Sequence, residues 1–206
     1  MNIKKTANLL INFTLKRLTE IFGIIIFCSG ILLLLALLTY SPEDPNFIFP
    51  DNTEIKNILG FRGSFISDLF FQSIGLISYM LSTTLIITGI NIFRVKEFFL
   101  LIENIFFAIL YSLFGSLFLS HFYSNTFTLY INGNGGFIGS YLNQTFFNSL
   151  ILLNEVIFYY LLIVLNFVLF LISLNFRPLK FYKIIKNTFQ IFNKENQKNY
   201  TDKNEI

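Results

Sequence analysis

Between Ile21 and Pro45 the chain reads IFGIIIFCSGILLLLALLTYSPEDP, and this stretch decides the fold. From Ile21 to Tyr40 it holds no charged residue. A helix needs about 20 apolar residues, at roughly 1.5 Å each, to cross the hydrocarbon of a bilayer. Pro42 and Pro45 forbid further helix, and hydrocarbon refuses Glu43 and Asp44. The chain therefore enters a membrane near Ile21 and leaves it at Tyr40. Every later segment lies on one side of that membrane or inside it.

Composition agrees. The hydrophobic fraction is 54% and the charged fraction 13%, against about 25% charged residues in a soluble domain. The single cysteine, Cys28, falls inside the first span, which excludes a disulfide framework and a Cys-based metal site. Lys4, Lys5, Lys16 and Arg17 precede the apolar run, as in a signal peptide. The run exceeds an h-region of about 7–15 residues and no small-x-small cleavage site follows, so it reads as a retained anchor.

Four spans follow from the length rule: about 21–40, 69–93, 98–120 and 151–174. Residues 1–20 form a basic lead, lying on the membrane surface or disordered. Residues 41–68 form a polar loop, Arg94, Lys96 and Glu97 a tight turn, and residues 121–150 a second long loop. Ser78 and Ser82 stand four apart on the second span, as do Thr84 and Thr88. Ser112, Ser116 and Ser120 make a stripe on the third, with Gly115 beside it. Small residues at this spacing let helices approach closely in lipid. Asn166, near the middle of the fourth span, fits interhelical hydrogen bonding better than ion ligation.

Cations fix the orientation. Of the fifteen lysines and arginines, only Lys56 and Arg62 fall in the two long loops. The positive-inside rule then places both termini and the short turn in the cytoplasm and both long loops outside. After Pro178, Phe181, Ile184, Ile185, Phe189 and Phe192 oppose Lys180, Lys183, Lys186 and Lys194 at helical spacing. Residues 175–192 therefore read as an amphipathic helix with its lysines towards anionic headgroups, or as a helix packing on a partner. Residues 193–206 have little to bury and read as the start of a disordered linker. The fold class is all-α integral membrane: a four-transmembrane-helix bundle with two outer loops and a cytoplasmic amphipathic helix.

Catalysis finds little support. The chain has no phosphate-cradling Gly-x-x-x-x-Gly-Lys motif, and Ile138 occupies the last glycine place of a Gly-x-Gly-x-x-Gly beginning at Gly133. The Asn-Gly steps at 132–136 supply turns. His121, the single histidine, has no second ligand nearby in sequence and fits an interfacial polar cap. Glu103 and Glu155 lie near opposite faces of the membrane and do not form a pair. No cofactor and no metal are expected.

Three stretches resemble the membrane domain of the FtsK/SpoIIIE family of bacterial DNA translocases. The first is Leu38 to Phe47, with Ser41, Pro42, Asp44 and Pro45. The second is Asn57 to Phe71, with Gly60, Gly63 and Asp68, followed by Gly75 and Tyr79. The third is Asn134 to Ser140, with Gly135, Gly136 and Gly139. They occur in family order between the matching spans, and the resemblance covers about residues 18–190. Ser64 and Ser67 replace the usual alanines, and the family's tryptophans are missing. The RecA-like motor and the winged-helix DNA-reading domain have no counterpart in this sequence. The chain is thus expected to be a fragment, one half of a split gene, or a motor-less paralogue.

The resemblance implies an inner-membrane anchor at the division septum. It would tether a chromosome-segregation motor and touch divisome membrane proteins and lipid, in a hexameric homo-oligomer, reaching DNA only through the motor. The chain itself is then not an enzyme. The rival reading is a small multi-pass channel or transporter using Glu103, Asn166 and Glu155. An intramembrane enzyme is weaker still, for want of a nucleophile–base pair.

Overall fold

A computed structural model describes residues 3–45, 54–124 and 132–175, with side chains from Asn8 onward. Lys180, Lys183, Lys186, the tail helix and the linker fall outside the described residues. The described chain is helical: α1 (Ile3–Leu38), α2 (Gly60–Ile74), α3 (Ser78–Val95), α4 (Phe99–Phe122), α5 (Gly136–Asn143), α6 (Phe146–Leu153) and α7 (Glu155–Ser173). A 3₁₀ turn, Gly75–Ile77, joins α2 to α3.

Four stretches are long and apolar enough to cross a membrane: Asn8–Leu38, Gly60–Val95, Phe99–Phe122 and Glu155–Ser173. The helices pack in chain order. α1 lies along α3, α3 meets α4, and α4 packs on α7. Outward side chains are greasy: Val156, Tyr160, Val164 and Phe167 of α7 are each at least 60% exposed. Water would not tolerate such a face, and lipid requires it.

The basic lead is not separate from the first span. α1 is one helix of 36 residues, about 54 Å long against roughly 30 Å of hydrocarbon. Its surplus lies at the amino-terminal end, where Leu9, Leu10 and Phe13 remain exposed. An ion-pair level marks where the bundle begins. Glu20 accepts Arg17 at 2.5 Å on its own helix and Lys96 at 2.6 Å from the α3–α4 turn. From Glu20 to the end of α1 at Leu38 is about 27 Å of helix, so the charged turn and the loop that follows α1 lie about one hydrocarbon thickness apart.

Glycines set the α1–α3 distance. A Cβ on Gly23 would stand 2.8 Å from Phe93 N, one on Gly30 2.7 Å from Ile86 N, and one on Gly89 2.7 Å from Gly23 O. Backbone therefore meets backbone along this seam, as small residues allow in lipid.

The second span departs from the expected 69–93. Helix begins at Gly60, and the face it buries carries Gly63, Ser64, Ser67 and Asp68 before Phe71 and Ile74. It breaks at Gly75, whose φ of +62° a side chain would resist. The start of α2 lies beside the last turns of α1, since Gly63 lines the same groove as Leu33 and Ala36. The fourth span also starts later than expected. Asn154 accepts Ile157 N–H at 3.2 Å and caps α7. The preceding turns form the separate short helix α6.

Candidate functional site

The residues that carry the family resemblance gather at one end of the bundle, in two knots. In the first, the chain leaving α1 folds back onto the start of α2. Asp44, 3% exposed, accepts Lys56 N–H on Oδ1 at 2.8 Å and Asn57 N–H on Oδ2 at 2.9 Å. Asn57 donates to the free Ala36 carbonyl near the end of α1 at 2.9 Å, and its Oδ1 accepts Leu59 N–H at 3.1 Å. Gly63 must be glycine, because a Cβ would overlap Asn57 Oδ1. Ser64 Oγ donates to Pro45 O at 3.1 Å. Buried Asp68 accepts Tyr40 OH at 3.1 Å, and Tyr79 OH donates to Leu37 O at 3.2 Å.

The Ser41-Pro42-Glu43-Asp44-Pro45 stretch is thus a latch as well as a stop. Its two acids differ. Asp44 is buried in backbone amides, whereas exposed Glu43 pairs with the Lys56 ammonium. That hydrogen bond, and then the charge, hold the Glu43 carboxyl below the ordinary carboxylate range. The same bond and charge raise Lys56.

In the second knot, the start of α5 lies against the Gly75 break and the last turns of α4. Leu76 N–H donates to Asn134 O at 3.0 Å, and a Cβ on Gly75 would overlap that carbonyl. A Cβ on Gly135 or Gly139 would overlap Ser116 O, and one on Gly136 would stand 2.6 Å from Gly75 N. Ser116 Oγ donates to Ile74 O at 3.0 Å. These glycines leave no room for a phosphate, since protein backbone already fills the space a cradle would offer. Beside them lies a polar cavity of about 520 Å³ lined by Ser120, His121, Asn143 and Gln144 among others. His121 Nδ1 and Asn143 Oδ1 are 2.9 Å apart. Among the described residues no three His, Cys, Asp or Glu side chains come together as a metal site.

Inside the bundle, some polar side chains bond across helices and others to their own turns. Thr84 Oγ1 lies 2.9 Å from Tyr111 OH and 3.3 Å from Ser173 Oγ, and Asn104 donates to Thr88 at 2.8 Å. These bonds join three helices. Ser78 and Ser82 bond to their own helical turns and are fully buried, while Ser112 is 7% exposed. Asn166 donates to Leu162 O at 2.8 Å on its own helix, not to a neighbour. Its Oδ1 is buried without a partner beside Gly115. Glu103 is exposed near the start of α4, and Glu155 opens α7 at the other end.

Glu20 and the glycines Gly23, Gly30 and Gly89 went unnoticed in the sequence. The seven-residue spacing of Gly23 and Gly30 was the available signal for the seam. Nothing near Glu20 announces that its partner is Lys96.

A membrane-spanning helical bundle, closed at one end by two tight backbone knots, is the class these features define. The family model described as the 4TM region of DNA translocase FtsK/SpoIIIE matches residues 15–186, and the chain belongs to that family. The DNA translocase FtsK of Caulobacter vibrioides is 35% identical over 69 residues, which are 34% of this chain. The match takes in only 8% of that relative's length. No solved structure matches. The protein is therefore a multi-pass inner-membrane protein with the membrane-anchor domain of this family.

Proposed function

We propose that the chain anchors a chromosome-segregation motor to the inner membrane at the division septum, with both termini in the cytoplasm and the two knots outside. The observation that carries this reading is the extent of the family match, which takes in all four spans and both knots. The cation distribution supports the orientation. The burial of Ser78, Ser82, Ser112 and Ser116, three of them bonded to backbone carbonyls, supports a packing role, since a conduction path would leave such groups facing water. Lys180, Lys183 and Lys186 would hold the exit segment against anionic headgroups, and neighbouring copies and other division proteins would meet the apolar flanks. No catalytic step is assigned to the chain.

A fluorescent fusion expressed in dividing cells tests the reading. A band at midcell is expected, and even labelling of the whole envelope would overturn it. Topology is tested separately with cysteines at Glu54 and Glu97. An impermeant maleimide should label the first in intact cells and the second only after lysis.

The channel reading rests on Asn166, whose Oδ1 is buried without a partner among the described residues. Ion flux in proteoliposomes that disappears in Asn166→Leu would support it.

A further inference from the structure

We propose that the groove between α1 and α2 seats one anionic phospholipid, with its phosphate on Arg62. The groove encloses about 470 Å³ and is walled by Leu32, Leu33, Ile66, Phe70 and Leu85, with Arg62 at its edge. That volume lies within the range of about 300–1,000 Å³ for small-molecule pockets, and the walls are those an acyl chain requires.

Arg62 supplies the charge argument. It is exposed, and the ion pairs among the described residues, Arg17–Glu20, Lys56–Glu43 and Lys96–Glu20, leave it out. The other cation of this end, Lys56, is already paired with Glu43. Arg62 is also deep. It shares the groove with Ser29 to Ala36 of α1, which lie two to nine residues before that helix ends at Leu38. The whole of that interval is within about 14 Å of the helix end. An unpaired guanidinium at this level, beside an apolar groove, is within reach of a headgroup anion. A phosphate matches its fork of donors, a headgroup with no cation of its own leaves that phosphate free for Arg62, and the acyl chains fill the apolar walls below. One amphiphile thus satisfies both features.

The test uses the full chain in phosphatidylcholine vesicles with a minor fraction of photoactivatable phosphatidylglycerol in both leaflets. Labelled peptides are mapped by mass spectrometry. Labelling of α1 and α2 peptides should fall about five- to tenfold in Arg62→Gln. It should be largely retained in Arg62→Lys, and Lys56→Gln should change nothing. Photoactivatable phosphatidylcholine should label the groove as weakly as phosphatidylglycerol labels Arg62→Gln. Equal labelling by the two lipids, or equal loss in Lys56→Gln, would overturn the proposal by leaving only a diffuse surface charge. Displacement by soluble glycerol phosphate would overturn it too, because the site would then hold a free phosphate.

Discussion

Asp44 turns an irregular loop into a latch by accepting two backbone amides at once. Asp44→Ala strands both N–H groups in a buried position, and each such loss costs about 1–3 kcal/mol. The variant should unfold several degrees lower in detergent, with Asp44→Asn recovering part of the loss through its one remaining acceptor. Glu43 and Lys56 beside it should behave differently, being exposed. The lowered Glu43 carboxyl contributes stability above its unfolded value and loses it as pH falls through the folded one. Raised Lys56 contributes below its unfolded value and loses it as pH rises through the folded one. The pair therefore acts between the carboxylate and ammonium titrations. In Lys56→Gln the Glu43 midpoint, followed by NMR, should move up. Glycine roles also separate. Gly60 has φ +65° with nothing within 4 Å of a built Cβ, whereas Gly75 combines φ +62° with an overlap on Asn134. Gly60→Ala should cost about 1 kcal/mol, and Gly75→Ala several times that, read as thermal shifts. The sequence marked both glycines and Asp44 as motif residues. It could not give their tasks, because the partners of Asp44 lie 12 and 13 residues further on.

The α1–α3 seam is the clearest case of an element whose packing rests on missing side chains. Gly89→Leu drives methyl groups into the backbone of α1 at Phe27 and Gly23. Overpacking a tight site costs about 1–3 kcal/mol even where side chains can move, and backbone cannot. Folded yield in detergent should collapse, while Gly89→Ala should give a partial loss. Hydropathy located every spanning stretch, because crossing a bilayer is a requirement of length and apolarity alone. It misjudged where α2 begins and where α7 begins. Gly60 and Asn154 set those boundaries through backbone angle and capping, which an apolar count does not sense. It also missed that α1 starts at Ile3, since mixed basic and apolar residues continue a helix already nucleated in the span behind them.

Across the described residues the spans are joined serially, and side-chain bonds tie distant parts of the chain together. Two of them secure the last turn of α7 to α3: Ser173 Oγ to Thr84 Oγ1 at 3.3 Å, and Asn91 Nδ2 to Leu174 O at 3.1 Å. Asn91→Leu should speed amide exchange in the final turn of α7 and leave the α1–α3 seam protected, as hydrogen–deuterium exchange would read. Both bonds span more than 80 residues, so no local pattern could have disclosed them. They sit where the chain departs for whatever follows residue 175. A tug on that exit would load these two bonds before it reached any greasy contact. It would pass through them into α3 and along the glycine seam into α1, so tension would be shared between the first and last helices and would not peel the last one away.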